Sequence, residues 1–192
     1  MFADNEYSVA ICLPPEAEQI VAGLKDRLAQ EIGWYPSRDS RAHITICHFF
    51  ADGAQLERWK AYVATFCSNQ KPFEIVLDHV AQFRDSNTIY LALDKSSQQL
   101  TAAMMKAFNK GAKFQDKKTT SRPHVTIGRS IQKDKMERAQ ALFRNESFDI
   151  RFVSKEICIR KLNHDKGQYD ILKPSFPLEG KAYQLGLFGE NS

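Results

Sequence analysis

Long apolar runs are missing from this 192-residue sequence. No stretch approaches the ~18 consecutive apolar residues that a membrane-spanning helix needs, and the amino-terminal MFADNEYSVAICLPPEAEQ carries acids where a secretory signal carries bases. The expectation is a soluble, untargeted, cytoplasmic protein with no membrane partner. Cysteine is scarce: Cys12, Cys47, Cys67 and Cys158 lie mostly inside apolar runs, and no pair is spaced C-x-x-C. That argues against a cysteine zinc site or a disulfide framework and predicts reduced, buried thiols. Linkers, low-complexity tracts and blocks of like charge are absent too. The excess of one charge is small, 27 Lys+Arg against 23 Asp+Glu for a net +4, which permits a polyanionic partner without demanding one. What is present, 43% hydrophobic and 26% charged residues, is the makeup of a chain that buries a real core.

Short β-like runs alternate with longer helical ones. Tyr7 to Leu13 reads as a buried strand stopped by Pro14-Pro15. Ala17, Ile20, Val21, Leu24 and Leu28 then recur at helical spacing up to Gly33. A polar loop through Ser40 leads to a strand from His43 to Phe50, a helix from about Ala54 to Cys67, and a strand from Phe73 to Val80. The second half starts with a strand from Thr88 to Leu93, and Asp94 caps a helix carrying Leu100, Ala103, Met104, Ala107 and Phe108. A basic loop, KFQDKKTTSR, precedes a strand from His124 to Ile131 and a helix from Lys133 to Phe143. Strands at 148–153, 157–162 and 168–172 follow. Strand, helix, strand, helix, strand recurs in each half, the pattern of a duplication. The chain 1–192 is read as one domain built from repeats of about 1–82 and 83–192, with room for strand exchange between the lobes.

The repeat carries the chemistry. Arg41-Ala-His43-Ile-Thr45-Ile and Arg122-Pro-His124-Val-Thr126-Ile share four identities and one Ile/Val exchange, and His124 follows His43 by 81 residues. In a strand, residues i and i+2 share a face, so each His projects with its Thr while the aliphatic residues point the other way. Two such faces meeting across a pseudo-twofold axis would bring two imidazoles and two hydroxyls to one point. A neutral imidazole is a base and a protonated one an acid near pH 7, and threonine hydroxyls donate to phosphate oxygens. The set suits phosphoryl transfer without a metal or cofactor.

The twin motifs, His43-Ile-Thr45 and His124-Val-Thr126, resemble the signature of the 2H phosphoesterase superfamily, and the bacterial 2′-5′ RNA ligase or RNA 2′,3′-cyclic phosphodiesterase branch is the nearest in pattern. The resemblance implies a bilobal α+β fold with two antiparallel sheets flanking a central cleft. It implies a monomeric cyclic phosphodiesterase that opens 2′,3′-cyclic phosphate ends of RNA or nucleotides to 2′-phosphates. His124 would activate water, His43 would protonate the leaving 3′-oxygen, and weak 2′-5′ ligation would be the reverse reaction. Thr45 and Thr126 would hold the phosphate, as would Arg129, the basic residue this branch commonly carries after its second motif. Activity on 2′-5′ oligonucleotides or an ADP-ribose cyclic phosphate, or a non-catalytic RNA-end-binding module, are the alternatives.

Strict alternation turns Arg129 away from His124, so its role requires a bulge at Gly128. The same parity sends His48 to the face opposite His43, outside the site. His48-Phe49-Phe50 stands where the family pattern is more aliphatic and glycine-containing, a departure that bears on substrate preference. Arg41 and Arg122 read equally as phosphate anchors or surface arginines. His79 and His164 read as solvated or locally bonded, and Lys113, Lys117, Lys118 and Arg122 as a basic loop that is simply solvated or equally guides a nucleic-acid backbone toward His124. Tyr7, Phe49, Phe83 and Tyr169 are divided between base stacking and core, with core the commoner fate.

Overall fold

The computed structural model describes residues 5–115 and 117–181. Residues 1–4, 116 and 182–192 lie outside it, and with them the start of the amino-terminal stretch and the end of the second repeat. The chain runs β1 (Asn5–Cys12), α1 (Pro15–Ile32), β2 (His43–Ala51), α2 (Gly53–Ser68), β3 (Phe73–Phe83), β4 (Thr88–Leu93) and α3 (Lys95–Gly111). It continues through β5 (Lys117–Thr119), β6 (Val125–Gly128), α4 (Met136–Phe143), β7 (Ile150–Ser154), β8 (Glu156–Asn163), β9 (Gln168–Ile171) and β10 (Phe176–Pro177).

Local chemistry accounts for the boundaries. Pro15 opens α1, where its missing N–H costs nothing, and Gly33 closes it at φ +77°. Asp52 and Gln55 form a reciprocal capping box at the start of α2. The Ser97 N–H donates to Asp94 at 2.8 Å, the cap expected for α3. Two short strands have no signal in the sequence. β5 lies inside the basic loop, where Lys117-Lys118-Thr119 has no apolar alternation to announce a strand; it forms because the edge of β2 is free to pair with it. β10 contains Pro177, and its two residues are ordered by β8.

All pairings are antiparallel, in one sheet of order β10-β8-β1-β2-β5, with β9 also on β8, and another of order β6-β4-β3-β7. This is the α+β, two-sheet architecture that the twin motifs imply. The sheets do not divide at the repeat boundary. β3, from the first repeat, lies beside β4, while β8, from the second, lies beside β1. Helices cross over as well. α1 packs on β6 and β7 next to α4, and α2 packs under β2 and β8 next to α3. Trp59 of α2 stacks on Phe49 of β2 at 4.1 Å and lies 4.3 Å from Phe114, so Phe49 and its neighbour Tyr7 are core residues.

The expectation of four free thiols fails for one pair. Cys12 and Cys158 are joined in a disulfide across 146 residues, while Cys47 and Cys67 are free and buried. β1 and β8 are hydrogen-bonded neighbours, with Cys158 opposite Ala10, two residues from Cys12 on the same face. Only this long-range pairing brings the two sulfurs together, and no spacing in the sequence reports it.

Gly128 shows what the crossover demands. A Cβ there would meet Leu28 Cδ2 of α1 at 2.7 Å and Ile131 Cδ1 at 2.9 Å, so a helix of the first repeat touches the backbone of a second-repeat strand. Gly128→Ala is expected to destabilise the protein by about 1–3 kcal/mol in urea unfolding. Gly23→Ala, within α1 and with nothing inside 4 Å, should instead add up to about 1 kcal/mol. Equal midpoints for the two variants would contradict this packing.

Candidate active site

The inner faces of the two sheets enclose a cleft of about 580 Å³. His43 and Thr45 of β2 line one wall; His124, immediately before β6, and Thr126 within it line the other. Their partners Ile44, Ile46, Val125 and Ile127 are fully buried beneath the helices. The period-2 reading of both motifs therefore holds through the threonines.

Each histidine is held in the same way. His43 Nδ1 lies 2.7 Å from the carbonyl oxygen of Arg41, and His124 Nδ1 lies 2.8 Å from that of Arg122. A carbonyl only accepts, so both imidazoles carry the proton on Nδ1 and keep Nε2 for the cleft. His124 is further clamped edge-on by Phe83 at 4.9 Å and Tyr90 at 5.2 Å, and those two rings stack at 4.1 Å. Burial pushes His43 well below the usual imidazole range, helped by the Arg160 guanidinium, and burial lowers His124 as well.

Past the threonines, both strands break step. In β2, Val9 faces Cys47 but Ala10 faces Thr45, so Ile46 is the extra residue of a bulge. In β6, Ile89 faces Gly128 but Tyr90 faces Thr126, so Ile127 is the extra residue. The two bulges occupy equivalent positions, His43-Ile-Thr45-Ile-Cys-His48 and His124-Val-Thr126-Ile-Gly-Arg129. Each returns the fifth residue after its histidine to the inner face. Arg129 therefore lines the cleft, as a bulge there would require. The glycine is not what permits it, since β2 bulges with Ile46-Cys47.

The same device overturns the parity argument that excluded His48. It lines the cleft, and its Nδ1 lies 3.2 Å from the Tyr169 hydroxyl and 3.8 Å from Glu6 Oε1. Tyr169 donates its own proton to Glu6, so His48 Nδ1–H is the donor toward the tyrosine oxygen. Aligning the two motifs beyond their sixth residue pairs His48 with Arg129, the signal that would have found it.

The loop before β2 ties the walls together. Arg129 N–H donates to Ser37 Oγ at 2.9 Å. The buried ammonium of Lys25 donates to the Ser37 carbonyl at 3.2 Å and to Ser40 Oγ at 3.0 Å; burial lowers its pKa to about 8. Arg41 makes a two-point pair with Glu18 of α1, at 2.7 and 2.6 Å, and is a tether rather than a phosphate anchor. Arg122 stacks over Phe83 at 4.7 Å. Lys117 donates to the carbonyls of Asn109 and Ala112, leaving Lys118 as the loop lysine that faces the cleft. His79 pairs with its neighbour Asp78 at 2.6 Å, on the surface. Among the described residues no three His, Cys, Asp or Glu side chains converge as a metal-ligand set.

The family model of the 2′-5′ RNA ligase superfamily matches residues 13–166. The chain belongs to that superfamily. Phosphodiester chemistry is accordingly its general type of reaction. E. coli LigT, solved with 3′-AMP, superposes with a TM-score of 0.66 at 17% identity, covering 90% of this chain and 98% of LigT. TT0787 of Thermus thermophilus gives 0.62 at 14% identity, with 92% and 100% covered. Usb1 of Kluyveromyces marxianus gives 0.56 at 11%, with 93% and 100% covered. At these identities the likeness to the three solved structures is one of fold. No curated protein matches the sequence. None of the described helices is long and apolar enough to cross a membrane.

The depressed imidazoles link this site to folding. In the unfolded chain His43, His48 and His124 gain protons as pH falls through about 6.5; in the folded protein they do so only at lower pH. The unfolded state binds more protons in that window, so their contribution is complete above about 6.5 and is lost as pH drops below it. The urea midpoint should fall between pH 7.5 and pH 5.5, and by less in His43→Asn. A wild-type midpoint that holds constant would rule out this linkage.

Proposed function

We propose that the protein is a metal-independent cyclic phosphodiesterase, which opens 2′,3′-cyclic phosphate ends of RNA or nucleotides to 2′-phosphates. The observation that carries this reading is the matched pair of histidines, each with its proton fixed on Nδ1 by the carbonyl two residues back and its Nε2 facing one cleft. In the reaction, water attacks phosphorus and the bond from phosphorus to the ribose 3′-oxygen breaks. His124 Nε2 takes the water proton as base. His43, protonated, delivers a proton from its Nε2 to the 3′-oxygen as acid. Thr45 and Thr126 donate to the non-bridging oxygens, and Arg129 balances their charge.

Burial by itself leaves both imidazoles neutral near pH 7, which suits the base and not the acid. A bound phosphate supplies the missing charge, since an anion beside an imidazole raises its pKa. Protonation of the acid is thereby coupled to substrate binding. With a 5′-hydroxyl in place of water, the same exchange run toward synthesis yields a 2′-5′ linkage. Nucleotide binding in the cleft draws support from LigT, which has been solved with 3′-AMP, with NADP+ and with ATP. A monomer acting in the cytoplasm is part of the proposal, and in that reducing setting the Cys12–Cys158 pair would be open.

His43→Ala and His124→Ala should each lower turnover of a 2′,3′-cyclic-phosphate oligonucleotide by at least ~10². Both variants should keep the wild-type circular dichroism spectrum. Hydrolysis should persist in EDTA, follow a bell-shaped pH profile and leave a 2′-phosphate. Full activity in either variant would refute the paired-histidine mechanism, and loss of wild-type activity in EDTA would refute its independence of metal.

A further inference from the structure

One row of the first sheet is not used by this reaction. Ser8 of β1 lies directly opposite His48 on one side and Arg160 of β8 on the other, and His48 lies opposite Lys118 of β5. Directly opposed residues share a face, so Lys118, His48, Ser8 and Arg160 form a line across the inner face of the sheet, in which Lys118, His48 and Arg160 line the cleft and Ser8 is buried between them. Ala10, opposite Thr45, is two residues along β1 from Ser8. The row therefore runs about 7 Å from the row that holds Thr45.

Arg160 is 3% exposed, lines the cleft, and has neither a hydrogen bond nor a carboxylate partner among the described residues. Its guanidinium lies over the Tyr169 ring at 5.1 Å, a contact that orients the group without neutralising it. Beside it, Ser8 Oγ is fully buried with no hydrogen-bond partner among the described residues. Glu6, the one carboxylate among the described residues that line the cleft, is occupied by Tyr169. Arg129 approaches from the other sheet, near enough for its charge to act on both His48 and Tyr169. A buried, unpaired cation is costly to a folded protein, and here it stands with Lys118 in a row that holds no carboxylate, where Ser8 Oγ is free to donate and His48 Nε2 donates once an anion protonates the ring.

We propose that Arg160, with Ser8, His48 and Lys118, forms a second anion subsite, which takes a further phosphate of a nucleotide whose reacting phosphate lies between the two histidines. The proposal rests on the cyclic phosphodiesterase reading for the position of the reacting phosphate. It makes the preferred substrate a nucleotide with two phosphate groups, and it gives the departure at His48 a role in selecting that substrate.

Binding tests this apart from turnover. In calorimetric titrations, adenosine 2′,5′-bisphosphate should bind the wild type about tenfold or more tightly than adenosine 2′-monophosphate. Arg160→Met should remove that advantage and leave the monophosphate affinity within about threefold; His48→Gln should reduce it. Without ligand, Arg160→Met should melt no lower than the wild type, because an uncompensated charge is replaced by an apolar chain of similar length. Equal wild-type affinities for the two nucleotides, no binding of either, or an equal loss for both in Arg160→Met would overturn the subsite. The wild-type comparison decides even if the variant does not fold. A bisphosphate advantage that depends on Arg160, found without hydrolysis of any cyclic phosphate, would sustain the subsite and remove the phosphodiesterase reading.

Discussion

Each half of the cleft depends on one extra residue. A regular strand beginning at His43 would present His43 and Thr45 inward and then send His48 to the helix-covered side, where its imidazole would be buried without a partner. The bulge at Ile46 prevents this. It places two consecutive buried residues, Ile46 and Cys47, on the core side and returns His48 to the cleft. Ile127 and Gly128 do the same for Arg129. Each motif and its bulge thus contribute three inward polar groups, where strict alternation would give a different third. The twofold correspondence of the two walls extends three residues beyond the motif that reveals it.

Much of this is legible in the sequence, for reasons that can be stated. The H-x-T triplets are local, and their alternation survives intact because the bulges start only after the threonines. The helices are amphipathic with recognisable ends, such as Pro15, Asp52, Asp94 and Gly33. Features that depend on partners distant in the chain are hidden. Residues 117–119 become a strand only when β2 lies beside them, and Cys12 meets Cys158 only because β8 inserts next to β1. Parity misplaces His48 because it extrapolates along a strand, and a bulge without glycine leaves no local mark. The aromatic residues divide the same way. Tyr7 and Phe49 fill the core, whereas Phe83 and Tyr169, equally apolar in the sequence, hold the histidines of the cleft.

Exchange of elements between the repeats interlocks the two walls of the cleft. β3 completes the sheet begun by β4, and β8 completes the sheet begun by β1, so neither half of the chain contains a whole sheet. α1 lies on β6 while α2 and α3 share one aromatic cluster beneath β2. α1 packs on the second sheet, with Leu28 against Gly128, and its following loop runs to β2 in the first sheet, so opening one wall away from the other would pull on that loop, where Ser37 is held by Arg129. For His43 and His124, which stand on different sheets, such interlocking holds the two imidazoles in a defined relation across the cleft. A proton-transfer step needs that precision more than it needs a wide opening.

The charge of the molecule takes on a location. A net +4 spread over the surface would say little about a ligand, but Lys118, Arg129 and Arg160 face a cleft where Glu6, the one carboxylate among the described lining residues, is engaged by Tyr169. Desolvation lowers Arg160 to about 10 and holds the imidazoles of His43, His48 and His124 below their usual range. Every one of these shifts has the same sign: the cleft itself biases each group toward losing a proton. An anion reverses all of them at once, because it replaces the solvation that burial removed and offsets the mutual repulsion of the cations. Under the proposed reaction, affinity for phosphate and readiness for acid catalysis would be one property of this cleft, since the anion that fills it also raises the pKa of the imidazole beside it.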